Sequence, residues 1–324
     1  MTKLPRLYVV MLRYRIAAMV VMFMLLGAAG EGRVVLGARY LWAVLVLASS
    51  YVSATALNDL VDEPIDRVNH PRDAGRPLVE GTATRSDLRL LHAVAGGLTV
   101  VAAIPLGSRG LTLAAVSLAF SHAYSAGPLR LSYRIASAPA LLGIAYVVVP
   151  YALGLVAAGG PLAHVLARRS LALYLLFLAR IVLKDFRDRE GDARYGKPTL
   201  LLRFGKTPTC AVSLVALLAA DAALVVSFAA PFAILAQPFV AAIALMLVRL
   251  WRAEDFRAEQ VAIGIGARIG NGLLLGALAW LLLAAHGAPP SETVGFEAVL
   301  AALFLGSSAS LVLRPQDAVL GYKG

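Results

Sequence analysis

Long apolar runs separated by short polar segments dominate this chain. A helix needs about 20 apolar residues to cross a bilayer, and ten runs approach that length: 16–30, 40–57, 88–106, 111–124, 136–158, 171–183, 209–229, 231–248, 269–285 and 296–313. The pattern predicts an all-α bundle of membrane-spanning helices. The two shortest, 111–124 and 171–183, are expected to cross because of their place in the alternation. The longest polar stretch, 58–87, is only a loop between spans, so residues 1–324 are expected to form a single integral membrane domain.

Composition agrees: 60% of the 324 residues are hydrophobic and 15% charged, with a mean hydropathy of +0.77, far from soluble usage. The net charge of +11 would suggest nucleic acid as the partner of a soluble protein. Here its distribution marks topology instead, and no nucleic-acid partner is expected. With a cytoplasmic N-terminus, all but Arg33, Arg39, Arg109, Arg168 and Arg169 of the 30 lysines and arginines fall at inside loops. That orientation puts both termini and both acidic segments on the cytoplasmic side. The one cysteine, Cys210, excludes an intramolecular disulfide and any multi-thiolate metal site. Residues 1–15 are basic, and the apolar run after them is too long for a cleaved signal, so a retained first span is expected.

Two acidic segments stand out at the ends of apolar runs. Asn58, Asp62 and Asp66 recur at i, i+4, i+8, with Asp59 off that line, and Asp185, Asp188 and Asp192 at i, i+3, i+7. On helices, each set forms a stripe of oxygen ligands. Carboxylates so close repel unless protons or hard cations intervene, and oxygen-only stripes favour magnesium over zinc or copper. The pair of stripes suits a metal-bound diphosphate. Pro64 and Pro71 in the first polar segment, and Gly191, Gly196 and Pro198 in the second, are expected to end each acidic helix soon after its stripe. A third inside loop, 121–134, offers Tyr124, Arg130 and Arg134 near the same membrane face. Arg13 and Arg15 read as topology signals. His70, His92, His122, His164 and His286 show no metal-ligand spacing.

These segments resemble the UbiA superfamily of intramembrane prenyltransferases. NDLVDEPID from Asn58 resembles the family's NDxxDxxxD motif, and Arg76, Pro77 and Gly81 its RPxxxG continuation. KDFRDREGDARYGKPTL from Lys184 is similar to the second motif, with Asp188 and Asp192 as its DxxxD core. Tyr124, Ser125, Pro128, Arg130 and Leu131 match the intervening YSxxPxRL segment. Two departures accompany the likeness. Family members commonly have nine spans, which makes 296–313 an appended tenth, and Ser132 stands where the family often has lysine, a charge that Arg130 or Arg134 would supply.

The resemblance implies transfer of an isoprenyl group from a polyprenyl diphosphate to an acceptor, with Mg2+ as cofactor and an apolar cavity below a cytoplasmic-side diphosphate site. Asp62, Asp66, Asp188 and Asp192 would be catalytic. Asn58, Asp59, Asp62, Asp66, Asp185, Asp188 and Asp192 would hold metal, and Asn58, Arg76, Tyr124, Arg130, Lys184 and Lys197 would bind the diphosphate. An aromatic or quinone-precursor acceptor leads. Phosphoribosyl transfer to a polyprenyl phosphate, or prenyl transfer to a chlorin, heme or glycerol ether, are the alternatives within the chemistry. An ion-coupled transporter is the alternative outside it, disfavoured because transporter acids lie at the midplane and these lie at span ends.

Overall fold

The computed structural model describes residues 3–31, 37–71, 73, 75–166 and 168–313, and helix accounts for nearly all of them, with no strand among the described residues. Arg33, Arg72, Arg314, Lys323 and both termini, part of the topology argument, lie outside them. The helices are α1 (Lys3–Met11), α2 (Tyr14–Ala29), α3 (Ala38–Asn69), α4 (Pro77–Glu80), α5 (Arg85–Ala103), α6 (Gly107–Ser125), α7 (Ser137–Gly143) and α8 (Val149–Ala158). There follow α9 (Arg168–Ile181), α10 (Asp185–Arg194), α11 (Leu200–Phe204), α12 (Lys206–Ser227), α13 (Ala230–Arg252), α14 (Phe256–Ala285) and α15 (Pro290–Leu313).

Helix occupies every predicted apolar run, but the count of crossings differs from ten. Seven described helical stretches are long and apolar enough to span, or eight when the α1–α2 pair, bent by 66°, is taken as one span. Two reasons account for the difference. At 14 residues, α9 is short of the length that hydrocarbon requires. The 41-residue stretch Arg85–Ser125 counts once, although straight it would run about 60 Å. Both its ends instead lie beside the acidic segments. Arg85 at its start donates to the Leu60 carbonyl at 2.9 Å, and Tyr124 at its end accepts from Lys184 at 3.2 Å. The reversal sits at Pro105 and Gly107, where φ of +77° favours a residue without Cβ.

Local chemistry explains the boundaries. The Thr84 hydroxyl accepts from the Asp87 amide and the Asp87 carboxylate from the Thr84 amide, a reciprocal cap that starts α5. Asp255 caps α14 by accepting from the Ala258 amide, and α14 then runs 30 residues, well upstream of its predicted start at 269. Pro64 does not end α3, which continues to Asn69. Proline has no N–H for the carbonyl four residues back. That carbonyl, Leu60, takes its bond from Arg85 instead.

Packing is closest where α2 crosses α8. A Cβ added at Gly27 would collide with the Tyr151 carbonyl, and one at Gly154 with the Met24 carbonyl, so the two backbones touch through paired glycines. In a bilayer such small-residue contacts supply the dispersion that holds helices together. Between α7 and α8 the chain makes one π turn, Ile144–Val148. The helix α15 packs on α13 and α14, with Phe304 against Phe239 at a ring distance of 6.2 Å.

Candidate active site

The two acidic stripes face each other across one end of an apolar cavity of about 360 Å³. From α3 the rim receives Asn58, Asp62 and Asp66, and from α10 Asp188 and Asp192. Three contacts tie the stripes together. Lys197, in the turn after α10, reaches Asp62 Oδ2 at 3.4 Å and Asp192 Oδ1 at 3.7 Å. His70 Nε2 lies 3.2 Å from Asp188 Oδ1. The Gly191 amide donates to Asn69 Oδ1 at 2.6 Å.

Within the first stripe, Asn58 Nδ2 donates to Asp62 Oδ2 at 3.0 Å, as the i, i+4 spacing allows. Asp59, off the stripe, points to a different set of partners. Arg13 Nη2 donates to both of its oxygens at 2.8 Å, and Arg76 Nη1 reaches Oδ1 at 3.2 Å. Arg76 also pairs closely with Asp66. Arg76 is therefore engaged with acids, and Asp59 serves as the anchor for two guanidiniums rather than as a rim carboxylate. Arg13 adopts a left-handed φ of 43° at the break between α1 and α2 and lines the cavity. A non-glycine residue held there needs surrounding structure to fix it, and such residues concentrate at functional sites.

The second stripe is shared between two cavities. Asp188 lines the main one, Asp192 lines both it and a second cavity of about 540 Å³, and Asp185 lines the second, as does the buried Ser132. The i, i+3, i+7 reading placed all three on one face, but a 3-10 turn at Val182–Lys184 precedes Asp185 and a helix face three residues wide spans both cavities. Electrostatics separate them also. Burial pushes the carboxyls of Asp185 and Asp192 up to about 6, against the pull of Lys184 and Lys197 respectively. Burial would raise Asp188 too, but the Arg187 guanidinium and His70 overcome it and hold this carboxyl well below the usual range. Burial lowers His70.

Tyr124 and Lys184 meet at the rim, the ammonium donating to the phenol oxygen at 3.2 Å. Arg130 is not brought to the cavity. In a left-handed turn with φ of 38°, it stacks on the Tyr133 ring at 3.8 Å and donates to the Tyr133 hydroxyl at 3.0 Å. Residues the spacing arguments passed over are present instead: Arg13, Asn69, Arg180 and Arg187 line the cavity, and His70 supports Asp188. Below the rim the walls are apolar or aromatic, including Leu47, Tyr51, Leu141, Tyr146, Phe177 and Ile263.

The donor set fits magnesium. Asp62 Oδ1 and Asp192 Oδ1 are buried and accept no hydrogen bond, a costly condition for a carboxylate. Among the described residues no three acidic, histidine or cysteine side chains converge on one point. Magnesium is commonly held by one or two carboxylates together with substrate phosphates and water rather than by an all-protein cage. Oxygens without hydrogen bonds on opposing stripes, with lysine and arginine beside them, meet that requirement.

Known proteins share this architecture. A digeranylgeranylglyceryl phosphate synthase structure superposes with a TM-score of 0.65 at 18% identity, over 87% of this chain and 99% of that one. A UbiA homologue from Archaeoglobus fulgidus, bound to DMAPP and Mg2+, superposes at 0.58 and 15% identity over 94% and 98% of the two chains. In sequence, a digeranylgeranylglyceryl phosphate synthase of Thermococcus gammatolerans is 30% identical over 56% of this chain. The chain spans 60% of that relative's length. A homogentisate phytyltransferase of Synechocystis sp. is 29% identical over 68% of this chain and 72% of its own length. Residues 17–270 match the UbiA prenyltransferase family, and the chain is a membrane-spanning helical member of that family.

Proposed function

We propose that the protein transfers an isoprenyl group from a polyprenyl diphosphate to an aromatic or quinone-precursor acceptor, dependent on Mg2+. One observation carries this reading: two facing carboxylate stripes, each with a buried oxygen that accepts no hydrogen bond, stand at the mouth of a cavity with apolar walls. A diphosphate suits the mouth and a prenyl chain the interior. Magnesium, when bound, supplies positive charge against the leaving diphosphate.

The chain's own residues do the rest. Asp62, Asp66, Asp188 and Asp192 supply the oxygens at the mouth. Lys184 and Lys197 place ammonium groups beside the same space and favour a departing anion. The allylic carbon–oxygen bond breaks with its electron pair leaving on the diphosphate. The acceptor's electron pair then forms the new bond to carbon, and its proton is lost to pyrophosphate or water. Tyr51, Tyr146 and Phe177, packed ring to ring at 6.0 Å and 5.7 Å, wall the cavity below and keep water from the allylic cation.

Relatives named for homogentisate and for a glyceryl phosphate product support prenyl transfer and give a glyceryl ether phosphate as the second acceptor class. The reading further places the acidic mouth on the cytoplasmic side and treats residues 1–324 as one domain. The test is mass spectrometry of products from purified protein, Mg2+, a series of prenyl diphosphates and pooled acceptors. Magnesium-dependent pyrophosphate release with a prenylated product is expected. Ion-coupled uptake without pyrophosphate release would make the protein a transporter instead.

A further inference from the structure

We propose that the second cavity, lined from α9, α10 and α12 and from the segment leading into α7, binds an uncharged bilayer amphiphile with a polyol head, of the monoacylglycerol kind, whose hydroxyl donates to Asp185. Such a site stands apart from prenyl transfer, since Asp185 lines this cavity and not the main one.

Asp185 is only 8% exposed, yet among the described residues its carboxylate has no hydrogen bond and no ion pair. Burying a carboxylate without donors is costly, and ionisable residues so placed in membrane proteins usually mark a functional site. The Ser132 hydroxyl, 3% exposed, is likewise without a partner and belongs to a residue of the same cavity wall. The nearby cations are engaged elsewhere. Lys184 donates to Tyr124 at 3.2 Å, and Lys197 reaches Asp62 at 3.4 Å and Asp192 at 3.7 Å. Lys184, Lys197, Asp185 and Asp192 all line this cavity, so its ammonium and carboxylate groups balance in number. Neither an anionic nor a cationic head gains net attraction there. A neutral head bearing O–H groups does fit: an ionised carboxylate only accepts, and a serine hydroxyl both donates and accepts.

The remaining walls suit the rest of such a molecule. The polar groups come from α10, from the turn before α11 and from the segment before α7, whereas Ala140, Leu178, Val212 and Ala216 lie further along α7, α9 and α12. Leu178 precedes Asp185 by seven residues, roughly 10 Å of helix, which accommodates a head group and the first carbons of a chain. Clefts between helices with apolar walls and a few polar groups are a usual form of ligand site. Phe204, 56% exposed, and Val212, 46% exposed, belong to the cavity wall. In a membrane-spanning bundle exposed apolar side chains meet lipid, so the cavity draws its occupant from the bilayer.

The experiment uses the full-length protein in phosphatidylcholine vesicles, a lipid without O–H donors, and monolauroylglycerol carrying a diazirine in its acyl chain. Crosslinked peptides are mapped by mass spectrometry. Label should concentrate on residues 135–140 and 212–216 and be displaced by unlabelled monolauroylglycerol. The dimethyl ether of that lipid, which keeps its shape and loses both O–H groups, should displace at least about 10-fold more weakly, the range for hydrogen bonds to a charged group. Laurate and dodecylamine should also displace more weakly. Asp185→Leu should lower labelling of both segments by a similar factor, and Ala216→Trp, which fills the apolar end, should abolish it. Equal displacement by the diol and its ether overturns the role of Asp185, as does undiminished labelling of folded Asp185→Leu. Displacement by laurate or dodecylamine as strong as by the diol overturns the neutral head. Label spread evenly over the lipid-facing helices overturns the site itself. The wild-type displacement series requires no variant, so a misfolded substitution leaves the test intact.

Discussion

Asp62 and Asp192 each keep one buried oxygen without a hydrogen bond, and that makes them the most informative single positions. Asp62→Ala and Asp188→Ala should each reduce magnesium-dependent pyrophosphate release by about 100-fold or more, as loss of a group that stabilises developing charge does. The folded protein should remain, since neither side chain fills an apolar core. Wild-type turnover in either folded variant would remove the stripes from the mechanism. A pH effect follows from Asp192. Burial raises its carboxyl to about 6, so without a cation the folded state holds this proton more tightly than the unfolded chain. Its contribution to stability is then present at low pH and lost as pH rises through about 4 to 6. Magnesium needs the ionised form. Its stabilising effect on thermal unfolding should appear above about pH 6 and vanish below about pH 5. The stripe residues were legible in sequence because i, i+4 geometry is local. Arg13 and His70 were not, since Arg13 meets Asp59 and His70 meets Asp188 only through packing between distant helices. Arg130 misled in the other direction: its basic loop position suggested the site, and a left-handed turn sends it to Tyr133.

At the scale of elements, the closest contact and the most peripheral helix give opposite expectations. Gly154→Val would force α8 away from the Met24 carbonyl of α2. The yield of monodisperse protein should fall sharply, whereas the same change at Gly97, whose surroundings are open, should not lower it. Truncation after Pro289 removes α15, which contributes no residue to the main cavity. Pyrophosphate release per folded molecule should survive, with a lower thermal midpoint because Phe304 and its neighbours no longer cover α13 and α14. Complete loss of release in a monodisperse truncation would show that α15 shapes the cavity from behind. The apolar runs located these helices well. Their ends were harder, because Pro64 reads as a stop until Arg85 is seen to satisfy the freed Leu60 carbonyl, and the arginines of α14 hide its first turns.

For the whole molecule, orientation is the open quantity that charge alone predicts. In a Cys210→Ala background, cysteines at Thr82 and Thr207 should react only with reagents that reach the cytoplasm, and one at Ser108 only from the opposite side. All three positions are exposed in the fold. External labelling at Thr82 would invert the arrangement. The contacts across the mouth, Lys197 to Asp62, His70 to Asp188 and Asn69 to Gly191, join the helices of the first stripe to those of the second. A donor seated there would add a bridge between two parts of the bundle already tied by these polar links. Ligand bound to the folded state alone at 100 times its dissociation constant adds about 2.7 kcal/mol of stability. The melting temperature thus becomes a measure of chain-length preference that needs no acceptor and no turnover, and a series of prenyl diphosphates could be ranked by heat alone.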